Sequence, residues 1–407
     1  MDKSSMQIIV FFAMVVFVAV YVTITNKKRK QNAIINKLKN GWGKPAQRKY
    51  TGDDYECISH YFKRNANENS IDDITWNDLG MDDIFRMMNN TNSSAGQEYL
   101  YRMLRQPDAD MESLKKLDRL ATAIDKNASK RLELQKIFVW IGRAKHISIS
   151  DYCDVVVGLD KKSNALHYAS LLFLVAAIVF TCVINPVIGI WLCIAAVAFS
   201  IITYYKFKAG VDRYFICVNH IVKLLMGAGK ITALNVDFLE EYNIKLKNIT
   251  EDLSDIMKRS WLLETGNVDG SIMEMALDYL RMLTHADLIK FNNLIKLFHD
   301  KEKRIYELID TLGFIESSIA IASFRNMLDA WCIPEFKNDS DMQLEVKNVY
   351  HPLIKKPVAN SISTKHNVLL TGSNASGKST FLKTIAVNAL LSQTRYTSVS
   401  DYYKAPV

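Results

Sequence analysis

The segment that decides the fold runs from 367 to 391 and has the sequence NVLLTGSNASGKSTFLKTIAVNALL. Its first five residues, NVLLT, form a short apolar run typical of a buried β-strand, and TFLKTIAVNALL, from 380 onwards, is typical of a helix. Between them, GSNASGKS at 372–379 matches the pattern G-x-x-x-x-G-K-[ST] in full. A strand, this loop and a helix, in that order, are the context that a phosphate-binding loop requires.

The chemistry of phosphate binding explains the residue types in this loop. Glycines at 372 and 377 let the backbone wrap around a phosphate, while the helix N-terminus directs N–H groups at the anion. Lys378 is expected to reach the β- and γ-phosphate oxygens, and the hydroxyl of Ser379 is expected to ligate magnesium. We therefore predict a site for ATP with Mg²⁺. Its predicted cofactor-binding residues are Gly372, Ser373, Asn374, Ala375, Ser376, Gly377, Lys378, Ser379 and Thr380.

The second half of an NTPase site is missing from the sequence. A magnesium-binding Walker-B aspartate, and a group that positions the attacking water, are expected on later strands of the same sheet. Only residues 380–407 follow the loop, and their one acid, Asp401, stands so close to it that we interpret it as a turn residue. The catalytic residues are therefore unknown. Because we expect this chain to hydrolyse ATP slowly, it stays open whether the chain is an enzyme. We expect a C-terminally truncated chain.

Two uncharged stretches predict membrane helices. Residues 4–26 contain no charged side chain, and the apolar run at 8–22 is long enough to cross about 30 Å of hydrocarbon. The stretch 163–205 is too long for one span, and its interruption around Pro186 predicts two spans joined by a tight turn. Flanking basic residues place the N-terminus outside the cell and the soluble parts in the cytoplasm. The alternatives are a secretory signal and a buried hairpin in a soluble protein.

The positive charge of the chain is local. The formal net charge is +8, yet the segment 27–49 contains nine Lys or Arg residues and no acid. Without these nine charges the rest of the chain carries −1, so the global charge gives no argument for nucleic-acid binding. Because the basic segment follows the first predicted span, we expect 27–49 to contact the anionic headgroups of the lipid bilayer.

The hydrophobic patterning predicts a mainly α protein with a C-terminal α/β P-loop NTPase domain that is incomplete. Helical spacing dominates up to Ile333, and short β-leaning runs follow Pro334 at 344–349 and 368–371. We divide the chain into an N-terminal membrane anchor (1–26), a basic juxtamembrane segment (27–49), a helical core domain (50–162), a membrane hairpin (163–205), a long helical lever region (206–333) and the first part of the ATPase domain (334–407).

Three stretches resemble the MutS-like ATPases, and among them the membrane-anchored bacterial relatives. YHPLIKKPVANSI (350–362) and the loop after it resemble the family's H-P…N-[DS]-[IV]…T-G-x-N-x-x-G-K-S-T block, in which Asn374 is the distinguishing position. LIDTLGFIESSIAIASFR (308–325) is similar to the helix that leads from the family's lever arms into its ATPase domain. NTNSSAGQEYLYRMLRQP (90–107) is similar to the start of its helical core.

This resemblance implies a homodimeric ATPase, with nucleotide sites at the subunit interface and helical arms that clamp duplex DNA. It also places Val358 and Asn360 on the adenine and ribose side of the nucleotide. Mismatch readers of the family carry an F-x-E wedge in an N-terminal domain. Here Phe314-x-Glu316 lies in the interior helical block, and we interpret it as packing and helix surface.

The sequence thus predicts a membrane-tethered, MutS-like ATP-binding protein of the mismatch-repair ATPase family that associates with DNA. One alternative is a nucleotide-gated membrane scaffold without DNA binding. The other is a transporter-type ATPase, which the absence of charged side chains within the predicted spans makes a poor fit, because substrate paths need polar groups at depth.

Overall fold

The computed structural model describes residues 3–107, 110–144, 147–160, 162–259, 272–299, 301–337, 343–373 and 377–406. The fold is mainly α with one small sheet near the C-terminus, which confirms the predicted class. The helices are α1 (Lys3–Gly41), α2 (Gly52–Arg64), α3 (Asp73–Asp78), α4 (Met81–Met88), α5 (Ser94–Arg105), α6 (Met111–Lys126), α7 (Ala128–Ile141), α8 (Ile149–Val157), α9 (Ala165–Val183), α10 (Pro186–Ala233), a 3₁₀ turn (Asp237–Leu239), α11 (Glu240–Asp252), α12 (Ser254–Arg259), α13 (Ile272–Thr284), α14 (Ala286–Phe298), α15 (Glu302–Arg325) and α16 (Lys378–Arg395). The strands are β1 (Glu335–Phe336), β2 (Leu344–Val349), β3 (Asn360–Thr364) and β4 (Tyr402–Ala405).

Helix α15 is the centre of the helical core. Nearly every side chain in its second half is buried, and it packs against α5, α6 and α11. The crossing with α5 is close because glycines lie on both helices. A Cβ atom on Gly96 would overlap Glu316, and one on Gly313 would overlap Tyr99. The small residues therefore set the distance between these two helices.

Glu316 fastens α15 to the beginning of α5. Its buried carboxylate accepts hydrogen bonds from the backbone N–H groups of Asn92 and Ser93 and from the hydroxyl of Ser93, the N-cap of α5. A negative charge is favourable at the positive end of a helix dipole. Phe314 stacks on Tyr242 and meets Tyr99 edge to face. The predicted packing role of this pair is confirmed, but the predicted surface position of Glu316 is wrong because the N-terminus of α5 covers it.

Helices α9 and α10 form the predicted hairpin. Asn185 caps α10 by accepting from the N–H groups of Val187 and Ile188, and Pro186 occupies the first helical position, where it needs no hydrogen-bond partner. Helix α10 continues for 48 residues, which is roughly 72 Å, and crosses 205 without a break. One helix therefore belongs to both the hairpin and the helical core.

Among the described residues, three helical segments are long and apolar enough to cross a membrane. Two of them, Ala165–Val183 and Pro186–Asp212, coincide with the hairpin, and 17% and 28% of their hydrophobic windows are buried inside the protein. The third, Tyr214–Ala233, is 56% buried and contacts α7 and α8, so we interpret it as a core helix. The predicted span at 4–26 lies in α1, where the side chains of residues 1–13, 15–17, 19 and 20 are outside the described part, and it stays a prediction.

The end of the basic segment is attached to the helical core. The Arg131 guanidinium lies 3.5 Å from the centre of the Trp42 ring, and the N–H of Gly43 donates to Ser323 Oγ at 3.1 Å. Arg48 donates to the carbonyl oxygens of Asn89, at 3.2 Å, and Thr91. Arg48 therefore stabilises the attachment of this segment to the helical core. The exposed lysines and arginine of this segment are Lys27, Lys28, Arg29, Lys30, Lys37, Lys39, Lys44 and Lys49.

The sheet has the strand order β1-β4-β2-β3. Strand β2 pairs antiparallel with β3 and β4, and β1 pairs parallel with β4. The strand predicted at 344–349 is confirmed by β2. The strand predicted at 368–371 is wrong: no described residue pairs with it, and Leu369 is 88% exposed. A strand is stable only with neighbours that satisfy its backbone groups and cover its side chains.

Candidate phosphate-binding site

The predicted phosphate loop connects β3 to α16. Residues 365–373 lie at the surface, and α16 begins at Lys378. Asn374, Ala375 and Ser376 fall outside the described residues, so the geometry of the site depends on the two ends of the loop. Those ends are Gly372 and Ser373 on one side, and Gly377 with the first turn of α16 on the other.

Gly377 is the N-cap of α16 and has φ 88° and ψ 7°. This is the left-handed region, which glycine enters without strain. Among the described residues other than its chain neighbours, no atom lies within 4 Å of the position that a Cβ atom would take. Glycine is therefore favoured at 377 because of the backbone conformation, and not because a side chain would clash with a described neighbour.

The Lys378 side chain connects the two described ends of the loop. Its Nζ donates hydrogen bonds to the carbonyl oxygens of Gly372 and Ser373, the latter at 2.6 Å. The ammonium group thus lies across the opening between the two ends of the loop. The Lys378 ammonium group therefore lies at the N-terminus of α16, at the point where the sequence predicts phosphate oxygens.

The first turn of α16 favours an anion. The N–H of Phe381 makes the first intrahelical bond, to the carbonyl oxygen of Gly377 at 2.9 Å, and the N–H groups before it have no partner within the helix. The first turn contains no acidic residue. Ser379 and Thr380 are exposed there, as ligands of a bound group must be. Partial positive charge and N–H groups without an intrahelical partner together make this end of the helix suited to phosphate.

Val358 and Asn360 lie next to each other before the loop. Asn360 is the first residue of β3, and its Nδ2 donates to the carbonyl oxygen of Val358 at 3.0 Å. Both side chains are exposed. Their implied place beside the adenine and ribose of a nucleotide stays a prediction.

Asn388 holds α16 against the sheet, a role that sequence reasoning missed. Its buried Oδ1 accepts from the N–H of Val399 at 2.6 Å, and its Nδ2 donates to the carbonyl oxygens of Thr384 and Tyr350 at 2.9 and 3.3 Å. Tyr350 follows β2, and Val399 precedes β4. An asparagine among Val387, Leu390 and Leu391 is the signal that could have pointed to this buried role, because a buried amide needs partners.

Asp401 is a structural residue. It lies in a bend directly before β4, where its N–H donates to the carbonyl oxygen of Lys347 at 3.0 Å and its carboxylate accepts from Asn348 Nδ2 at 2.6 Å. Among the described residues no group of three or more His, Cys, Asp and Glu side chains is arranged to hold a metal ion. Magnesium binding by Ser379 stays a prediction.

Known proteins share part of this sequence. MutS protein homolog 4 of Mus musculus is 31% identical over 128 residues, which is 30% of this chain and 13% of that protein. The Homo sapiens protein of the same name is 27% identical over the same length, and Endonuclease MutS2 of Streptococcus pyogenes serotype M1 is 38% identical over 72 residues, 17% of this chain and 9% of that protein. Over the matched part, the chain is similar to these MutS-family proteins. No family model matches it.

These similarities agree with the predicted MutS-like relationship. They are confined to parts of the chain, and the chain covers only 13% or less of the length of these relatives. The bacterial, membrane-anchored and truncated character of the chain stays a prediction.

Proposed function

We propose that this chain is a membrane-tethered, MutS-like protein that binds ATP with Mg²⁺ through the loop 372–379 and associates with duplex DNA. The observation that carries the proposal is the position of Lys378, whose Nζ lies across the opening of a complete phosphate-loop sequence at the N-terminus of α16. The similarity to MutS-family proteins supports the same class of function.

The described residues have the chemistry that this proposal needs. Lys378 would exchange the carbonyl oxygens of Gly372 and Ser373 for phosphate oxygens, which are stronger acceptors because they are charged. The exposed hydroxyl of Ser379 would hold Mg²⁺, and the ion would neutralise phosphate charge when bound. Asn388 keeps the helix in place while the loop changes its contacts.

We propose that nucleotide binding, rather than fast hydrolysis, is the property of these 407 residues. Asp401 is the one acid after the loop, and its carboxylate is engaged with Asn348. Hydrolysis needs an acid near the metal and a group that orients water.

The membrane part of the proposal is supported by the surface of the hairpin. Leu172, Val183 and Trp191 are large apolar side chains that point out of α9 and α10, and such a surface is compatible with lipid. The exposed basic residues at 27–39 would lie at the cytoplasmic headgroups.

The dimer part of the proposal follows from the resemblance and is supported by exposed apolar groups in the C-terminal region. Leu369 and Leu382 lie on either side of the loop in sequence, and both are exposed. A second copy of the chain that covers such groups would place a partner surface near the nucleotide. Chemical crosslinking with and without ATP, read as a shift to twice the mass, measures this directly.

Nucleotide binding is tested with the full chain in lipid nanodiscs and a fluorescent ATP analogue, with and without Mg²⁺. Lys378→Ala is expected to weaken binding at least tenfold, because charge-assisted hydrogen bonds contribute about 1.5–3 kcal/mol. Ser379→Ala is expected to reduce chiefly the increase in affinity that Mg²⁺ gives. Lys383→Ala, an exposed lysine on the same helix, is the matched control and keeps the wild-type affinity. Equal affinity in the wild type and Lys378→Ala contradicts the proposal.

DNA association is separated from the scaffold alternative by the salt dependence of binding. Contacts to phosphates release counterions, so the logarithm of the binding constant must fall linearly with the logarithm of the salt concentration. We expect such a slope for labelled duplex DNA with the nanodisc-embedded chain. ATP binding without any duplex binding would favour the nucleotide-gated scaffold.

A further inference from the structure

A cavity of about 290 Å³ lies where the end of α16 meets α5, α6 and α15. Its lining includes the apolar side chains of Leu114, Leu117 and Phe314. It also includes two arginines, Arg102 and Arg395, and several neutral polar side chains. The cavity belongs to neither the phosphate loop, which is at the opposite end of α16, nor the membrane hairpin.

Arg395 is the last residue of α16 and is fully buried. Its Nη1 donates to the carbonyl oxygen of Thr394, and its Nη2 donates to that of Leu100 at 3.3 Å. Its Nε has no hydrogen-bond partner in the described part of the chain, and no described carboxylate forms an ion pair with it. Carbonyl dipoles satisfy donors, but they do not neutralise a full charge.

An uncompensated buried charge is strongly unfavourable in a folded protein. Burial lowers the pKa of Arg395 to about 9, which reflects the same imbalance. The guanidinium remains charged at neutral pH, so an anion next to it would restore the balance.

Arg102 adds a second donor group to the lining of the same cavity. Its Nε donates to Gln106 Oε1 at 2.8 Å, while its Nη1 reaches Asp310 only at 3.5 Å. Asp310 also accepts from the hydroxyl of Tyr61, to which Arg102 Nη1 donates at 3.4 Å. Arg102 therefore has donor capacity left for a group in the cavity.

We propose that this cavity is a binding site for a small anion with a phosphate or carboxylate group, held by Arg395 and Arg102. The volume lies at the lower end of ligand pockets, which hold about 300–1,000 Å³, so it suits inorganic phosphate or a short organic acid. The bound anion would join the end of α16 to α5 through the two arginines, and it would stabilise that contact.

The test measures thermal unfolding of the full chain in detergent against the concentration of inorganic phosphate or acetate, with ionic strength held constant by sodium chloride. The unfolding temperature is expected to rise and saturate, as for any ligand that binds only the folded state. In Arg395→Met the affinity is expected to fall at least tenfold. The variant itself should be as stable as the wild type, or more stable, because an apolar side chain replaces an unpaired charge.

Three further variants make the result specific. Arg102→Gln should weaken the anion effect, and it serves as the second measurement where Arg395→Met does not fold. Arg86→Gln, at an exposed arginine that pairs with Asp83 one turn away, should leave the effect intact. Lys378→Ala should also leave it intact. The proposal is overturned if the wild type shows no shift, or if the shift survives in Arg395→Met and disappears in Lys378→Ala, which would assign the anion to the loop.

Discussion

Arg325 Nη1 donates a hydrogen bond to Asp118 Oδ1 at 2.6 Å, and this ion pair between a buried arginine and a partly buried aspartate joins the last residue of α15 to α6. The same guanidinium donates to the carbonyl oxygen of Tyr396 and to Thr397 Oγ1, each at 3.0 Å. One side chain therefore connects two core helices with the segment that follows α16. A movement of α16 on nucleotide binding would have to strain or break these contacts.

We predict that Asp118→Ala destabilises the chain by about 3–5 kcal/mol, because it removes the carboxylate that pairs with the buried Arg325 guanidinium. Arg325→Met should be costly as well, since it also removes the bonds to the segment after α16, and the double variant should show coupling between the two sites. Denaturant unfolding of the single and double variants measures this. Asp83→Ala, which breaks an exposed pair with Arg86, should change stability by at most about 0.5 kcal/mol. Additive single effects would contradict the coupling.

A second prediction concerns Glu98, a buried carboxylate that receives hydrogen bonds from Ser148 Oγ at 2.5 Å and from the N–H of Ile149 at 2.8 Å. Burial raises its pKa from the ordinary value of 4.5 to about 8, and the hydrogen bond from Ser148 opposes the rise. Between these two pH values the folded chain holds a proton that the unfolded chain has lost. The stabilisation present at low pH is therefore lost as the pH rises, at up to about 1.4 kcal/mol per pH unit.

Glu98→Gln should remove this slope. The free energy of unfolding, measured at several pH values between 5 and 8, is expected to fall less steeply with pH in the variant than in the wild type. Glu112→Gln, at an exposed position, should keep the wild-type slope. Parallel profiles for Glu98→Gln and the wild type would show that Glu98 does not titrate in this range.

A third prediction concerns the tip of the hairpin, where α9 and α10 approach closely at Gly189. A Cβ atom there would lie 2.5 Å from the Cα atom of Thr181, and backbone cannot move aside as a flexible side chain can. Gly189→Ala should therefore destabilise the chain by about 1–3 kcal/mol in nanodiscs. Gly210→Ala on the same helix has open space around the new methyl group and should be neutral or slightly stabilising. If Gly189→Ala left the stability unchanged, the two helices of the hairpin would have to pack more loosely than the structure shows.

Local patterns predicted the elements that depend on local chemistry. The asparagine and proline at 185 and 186 mark the turn of the hairpin, and the short β-leaning run at 344–349 marks β2. Glycine followed by lysine and serine marks the start of α16. In each case the residues of the sequence pattern lie within the element that they predict or directly next to it.

Contacts between distant residues were beyond the reach of such patterns. The apolar run at 368–371 has the composition of a strand, but pairing depends on neighbours elsewhere in the chain. Glu316 has the sequence context of an exposed helix position, and only the packing of α5 across α15 shows that its carboxylate is buried. The place of Asn388 in the site depends likewise on Tyr350 and Val399, which come from separate segments.

The last prediction separates loop conformation from loop chemistry at Gly377. An alanine at φ 88° would cost about 1–2 kcal/mol, although no described atom beyond its chain neighbours lies within 4 Å of the new methyl group. Because this end of the loop is exposed, the nucleotide-free chain can relax the strained residue, and the cost then falls on the nucleotide-bound conformation. We therefore expect Gly377→Ala to lower the affinity for an ATP analogue about tenfold while the unfolding temperature changes little. Gly52→Ala, where the new methyl group also finds open space, is the matched control and should change neither quantity. A large loss of stability with unchanged affinity would show that Gly377 serves the fold rather than the proposed nucleotide site.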